Sequence, residues 1–202
     1  MKDSSMPLDK YSNYEVKLIV GLSNPGEKYA LTRHNVGAWF IKHMLKTTTE
    51  ELRPLKIAKA KAASWQYESY SCNILIPGVY MNVNGSEIGK YMRYFNILPE
   101  NLLVIHDELD FDPGTIRLKV GGGCAGHNGL KSIKENLQSS SFMRLRVGIG
   151  RPKYQEEVSN YVLSMPSKEQ HANIITAINL GLDQIPTLLA GDFQKVMQEL
   201  HS

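Results

Sequence analysis

Four short segments of the chain carry side chains able to do chemistry. The first runs from Ser23-Asn24-Pro25-Gly26 through Tyr29 to Arg33-His34-Asn35. Imidazole changes charge near neutral pH, so a histidine in such a polar loop can act as a general base; a capping or buried, hydrogen-bonded ring is the other use. The second is Tyr80-Met81-Asn82-Val83-Asn84-Gly85. A carboxamide donates and accepts without adding charge, which suits holding a carbonyl or a water, although a turn with a helix cap uses the same residues. The third, His106-Asp107-Glu108-Leu109-Asp110-Phe111-Asp112, sets a carboxylate at the end of an apolar run, where it can orient a histidine during proton transfer. The fourth is Gly121-Gly122-Gly123-Cys124-Ala125-Gly126-His127-Asn128-Gly129, a backbone able to approach a ligand closely.

Several other uses of these residues fit poorly. Asp110 and Asp112 are followed by Gly114-Thr115 with no third ligand and no closing glutamate, so the calcium-loop pattern fails, and no HExxH is present for zinc. Gly121, Gly123 and Gly126 satisfy GxGxxG, but Arg146 stands where a dinucleotide site needs an acid about twenty residues on. Cys124 and His127, three residues apart in a loop, are poorly placed as nucleophile and base.

The elements that must position these groups alternate in type. Val16–Leu22 reads as a buried strand, and Val36, Phe40, Ile41, Met44 and Leu45 recur at helical spacing behind it. Trp65–Ile76 alternates like a strand and stops at Pro77-Gly78. Asn84 with Glu87 forms a capping-box pattern before a helix with Ile88, Tyr91, Met92 and Phe95 on one face. Leu102–Ile105 is a further strand leading into His106, and Ser167 with Gln170 offers a second capping box. Strands interleaved with helices predict an α/β fold: one three-layer domain, a twisted mixed sheet flanked by helices, over residues 16–202. Residues 1–15 are polar and aperiodic and read as a flexible N-terminal arm.

Two strands speak about partners. Ile116, Leu118 and Val120 alternate with Arg117 and Lys119, and Met143, Leu145 and Val147 alternate with Arg144 and Arg146. Residues two apart share a strand face, so each pair of cations points one way. Solvated charge explains either pair alone; brought side by side, the four would make a phosphate-binding face. The 202 residues carry a formal net charge of +3, compatible with a polyanionic partner without requiring one. A hydrophobic content of 42% and a charged content of 21% are those of an ordinary globular chain. Two cysteines supply no disulfide framework, no apolar run is long enough to span a bilayer, and no signal peptide is evident; a reducing cytoplasm is the expectation.

Taken in order, KLIVGLSNPGEKYALTRHNVG, YMNVNG, HDELDFDPGTIRLKVGGG, GHNGLKSI and RLRVGIGRP resemble the motifs of bacterial peptidyl-tRNA hydrolases. The resemblance runs from about Val16 into the C-terminal helices. It implies a monomeric esterase without metal or other cofactor, which cleaves the ester between a peptide and the 3′ ribose of tRNA. It also implies His34 as general base, Asp107 as its partner, and Asn24 as the residue distinguishing N-blocked from free aminoacyl-tRNA. Tyr29, Tyr80, Met81, Asn82 and Asn128 fall on substrate-contacting positions, and Arg117, Lys119 and Arg146 on the tRNA-facing surface. Asn24 is expected to accept from the N–H of the peptide linkage, and Asn82 or Asn128 to donate to the developing oxyanion. Gly78-Val79, Asn84 and Cys124-Ala125 depart from the family's usual residues without touching a catalytic position. Two other readings remain: a tRNA- or ribosome-binding protein that has lost activity, and a nucleotide-dependent oxidoreductase built on the glycine loop.

Overall fold

Leu18–Gly21 has no polar side chain and all four residues are buried; it forms β1, at the centre of a seven-stranded sheet. The computed structural model describes residues 11–154 and 157–201. The other strands are β2 (Arg53–Pro54), β3 (Ala60–Tyr67), β4 (Tyr70–Pro77), β5 (Leu102–Glu108), β6 (Ile116–Val120) and β7 (Met143–Gly148), in the spatial order β2-β3-β4-β1-β5-β7-β6. Strands β4, β1, β5 and β7 run parallel; β3 and β6 flank them in the opposite direction, and β2 pairs antiparallel with β3 at one edge. The expected strand over Trp65–Ile76 is instead a hairpin, β3 and β4, turned at Glu68 with φ 50°.

A parallel sheet must be covered on both faces. The alternate residues of β1 and β5 divide accordingly. Ile19, Leu103 and Ile105 pack with Phe40, Ile41 and Ile178, from α1 (Val36–Leu45) and α5 (Lys168–Asp183). Val20 and Val104 pack with Ile88, Met92, Leu130 and Ile133, from α2 (Asn84–Tyr94) and α3 (Asn128–Leu137). Helices α4 (Val158–Val162), α6 (Ile185–Leu189) and α7 (Phe193–His201) complete the first layer. Tyr11 and Tyr14, from the segment expected to be an arm, meet the Phe193 ring edge-on at 6.0 and 6.3 Å; residues 1–10 lie outside the described residues.

The Ser167–Gln170 capping box is formed as expected. The Asn84–Glu87 box is not. Asn84 is the first residue of α2 rather than its cap, fully buried, with Nδ2 donating to the Ser23 carbonyl at 3.3 Å. Glu87 turns away to accept from Lys59 N–H and from Lys90 Nζ. The lost cap gives way to contacts from elsewhere in the fold, which a local pattern cannot show.

Candidate active site

The C-terminal ends of parallel strands are where open α/β sheets hold ligands, and the four polar segments meet there. A cavity of about 680 Å³ is lined by residues from all four, with α4 as a further wall. Two glycines make the meeting possible. A Cβ on Gly37 would lie 2.4 Å from the Ile105 carbonyl oxygen, and one on Gly21 would lie 2.3 Å from that of Gly37. The start of α1 therefore touches the backbones of β1 and β5 directly. This draws the turn Arg33–Asn35 against Asp107, two residues beyond Ile105.

His34 and Asp107 touch without an intervening group: Nδ1 stands 2.9 Å from Oδ1 and 3.0 Å from Oδ2. Both residues are buried. Burial by itself would lower the pKa of His34, but the charge and hydrogen bond of Asp107 outweigh it and raise the pKa above the ordinary 6.5. Burial likewise opposes the ionised form of Asp107, yet the two histidines beside it hold its carboxyl well below the usual range. With Nδ1–H pointed at the carboxylate, the lone pair of neutral His34 sits on Nε2, which has no hydrogen-bond partner among the described residues.

The second histidine is His127, considered above only as a partner for Cys124. Its Nδ1 accepts from the N–H groups of Gly129 (3.1 Å) and Leu130 (3.3 Å), capping α3. That fixes its proton on Nε2, which donates to Asp107 Oδ1 at 2.9 Å. Beneath them His106 donates from Nδ1 to the Asp107 carbonyl at 2.6 Å. Burial, with the neighbouring His127, pushes the His106 pKa down to about 3, so this ring stays neutral and supports the cluster from below.

His34, Asp107 and His127 have ligand atoms within 4.8 Å of one another, close enough for a cation. The donor chemistry disfavours one: His127 Nε2 carries a proton whenever Nδ1 caps α3, and a protonated nitrogen cannot ligate. The nearby acids are also engaged, Glu108 with Arg146 at 2.9 Å and Asp110 with Arg151.

Asn24 is framed by Asn35, which accepts from its N–H and donates to its carbonyl. Its side-chain Oδ1 accepts from Met81 N–H at 2.8 Å. Its Nδ2 donor has no partner among the described residues and is open to a ligand, while Oδ1 keeps one lone pair, so acceptance from a peptide N–H would share that oxygen with Met81. Met81 is buried in the core and also lines the cavity, tied to Asn24 by that backbone bond. Asn82 and Asn128 are both exposed on the cavity wall. Tyr29 and Tyr80 stand edge to face at 6.3 Å at its mouth.

Strands β6 and β7 are neighbours, with Arg117 paired to Arg146 and Lys119 to Arg144 in register. The four cations thus share one face, but not one role. Arg144 is buried, donating to the carbonyls of Gly122 and Gly123 at 2.6 Å each. It braces the glycine loop rather than waiting for phosphate, a correction to the four-cation face. Arg146 is held by Glu108, and its guanidinium and that of Arg117 both lie over the Phe111 ring. Arg117 and Lys119 remain exposed, and Lys119 lines the cavity.

Comparison with known proteins agrees with this geometry. The peptidyl-tRNA hydrolase family model matches residues 18–202. A peptidyl-tRNA hydrolase of Coxiella burnetii (strain CbuK_Q154) is 48% identical over 190 residues, covering 93% of this chain and 98% of the relative. One from Halorhodospira halophila is 42% identical over 186 residues, covering 92% and 96%. The crystal structure of the Acinetobacter baumannii peptidyl-tRNA hydrolase superposes with a TM-score of 0.89 at 36% identity, over 93% of this chain and 95% of that one. With this match over nearly its whole length, the chain belongs to the peptidyl-tRNA hydrolase family.

Proposed function

We propose that the protein hydrolyses the ester between a peptide, or an N-blocked amino acid, and the 3′ ribose of tRNA, recycling tRNA from prematurely released peptidyl-tRNA. The observation that carries this reading is the His34–Asp107 contact at the floor of a cavity bordered by cations. His34 Nε2 takes a proton from water as the oxygen adds to the ester carbonyl. Asp107 stabilises the imidazolium that forms, and His127 holds Asp107 in place. The tetrahedral intermediate then expels the ribose 3′ oxygen, which receives the proton back from His34. General-base catalysis of this kind contributes about 10²–10⁴-fold.

In this reading the amide donors of Asn24, Asn82 and Asn128, which line the cavity, meet the acyl carbonyl and the negative charge it develops, worth roughly 10²–10³-fold for one good donor. Asn24 then selects the substrate by donating to an acyl oxygen beside the blocked amine. Tyr29 and Tyr80 receive the terminal nucleotide or peptide, and Arg117, Lys119 and Arg146 face the tRNA. The reading includes a monomeric enzyme of the cytoplasm, working without metal, with residues 16–202 as one catalytic domain. Among the described residues no helix is long and apolar enough to cross a membrane.

The test is hydrolysis of an N-acetylaminoacyl-tRNA beside the same tRNA with a free amino group, in EDTA. Release from the blocked form alone is expected. Equal cleavage of both would remove the selective role of Asn24, and cleavage only after adding Mg²⁺ would remove metal independence. No cleavage under either condition by the folded protein would leave a binding protein.

A further inference from the structure

Arg33 is buried, 6% exposed, and among the described residues no carboxylate pairs with it. Its guanidinium is held by neutral acceptors. Nη1 donates to the carbonyls of Tyr161 and Ser164, each at 3.2 Å, and to Ser164 Oγ at 2.7 Å. Nη2 donates to Gln170 Oε1 at 2.8 Å, and the guanidinium lies 4.0 Å from the centroid of the Tyr161 ring. The backbone N–H of Arg33 also donates to the Ser164 carbonyl, at 3.1 Å.

A buried charge without a counter-ion is costly and persists only where dipoles replace the lost water. The Tyr161 carbonyl, which also accepts from Ser164 N–H and Oγ, lies in the last turn of α4 and the Ser164 carbonyl two residues beyond it, where the oxygens' partial negative charge favours a cation. Gln170 Oε1 also accepts from Ser167 N–H within the capping box of α5. One side chain thus joins the end of α4 and the start of α5 to the turn that carries His34. Helix α4 and the residue after it supply Val158, Ser159, Val162 and Leu163 to the cavity wall, an uncharged and mainly apolar surface unsuited to phosphate.

We propose that Arg33 is a positioning residue that fixes this apolar wall relative to His34 and so determines how the acyl part of the substrate is held. The inference rests on the hydrolase reading, and failure of that reading would show separately, as a wild-type protein without turnover. The test compares Arg33→Ala, Arg33→Lys and Gln170→Ala, with KM and kcat for peptidyl-tRNA measured separately. Affinity for deacylated tRNA and hydrogen exchange over 157–164 and β5 are measured alongside.

For Arg33→Ala, KM is expected to rise about tenfold with kcat changed less than about threefold. Affinity for deacylated tRNA should stay within about twofold. Amides of 157–164 should exchange faster while those of β5 keep their protection. Arg33→Lys should not restore KM, because a single ammonium cannot span acceptors on two helices. A lower kcat at unchanged KM would mean a smaller folded fraction and a structural role only. A parallel loss of deacylated-tRNA affinity would place the effect on the RNA; either result overturns the proposal. Should Arg33→Ala fail to fold, Gln170→Ala removes one acceptor and should raise KM about two- to threefold. Faster exchange over 157–164 in that variant at unchanged KM would refute the assignment.

Discussion

Asp107→Asn isolates the electrostatic part of the site, because it changes one oxygen to an amide nitrogen and leaves the packing in place. Oδ1 accepts from both His34 and His127, and Oδ2 also faces His34 Nδ1. The proton on His127 is fixed by its cap on α3, so the amide oxygen of the asparagine must stay with His127 and the nitrogen meets His34. The amide N–H at the Oδ2 position then crowds His34 Nδ1–H, which keeps only the oxygen it shares with His127. This weakens the bond and favours the tautomer with the proton on Nε2, where the base is lost. A hydrogen bond to a charged group contributes about 1.5–3 kcal/mol, or roughly 10- to 150-fold in rate. Loss of the useful tautomer extends the expected fall in kcat/KM to about 10²–10⁴-fold. The pH profile carries a second signature. In the wild type the carboxylate raises the His34 pKa, so the neutral base is lost on acidification at a pH above 6.5. Without the carboxylate only burial acts, and the acid limb of the residual activity should move to lower pH. Steady-state hydrolysis of N-acetylaminoacyl-tRNA from pH 5 to 9 reads both effects. A fall of less than about threefold, or a limb that stays in place, would refute the electrostatic account.

Three further outcomes follow from the geometry. His127→Asn keeps a good N-cap for α3 but is too short to reach Asp107, so thermal stability should change by less than about 1 kcal/mol while kcat falls at least about tenfold; unchanged kcat would dismiss the second histidine. Gly37→Ala puts a methyl against the rigid Ile105 carbonyl, and should cost about 1–3 kcal/mol in denaturant unfolding. It should also cost about 10²-fold in turnover through the displaced His34; full activity would show that α1 does not set that contact. Lys119→Ala should reduce the slope of log affinity for tRNA against log salt by about one, whereas Arg144→Ala should leave that slope unchanged and loosen 121–126 in hydrogen exchange. Equal slope changes in both variants would restore Arg144 to the phosphate-binding face.

What the sequence by itself determined is everything that depends on local periodicity and on residue type. The apolar run of β1, the alternation of β6 and β7 and the helical spacing of α1 announce a layered α/β domain. His34, Asp107, Asn24, Asn82 and Asn128 stand out as chemical residue types beside turns and glycines, and the ordered motifs name the family. Tertiary structure decided which polar groups already have partners. His127 lies 20 residues from Asp107 and shares its oxygen, Arg144 braces a loop 21 residues away, and Arg33 spans 137 residues to Gln170. Asn24 Oδ1 is shared with Met81 N–H, 57 residues on, which leaves Nδ2 as its unshared group. No periodicity encodes these pairings. They arise when parallel strands bring distant loops to one edge, where burial obliges each polar atom to find whatever partner the fold has placed beside it.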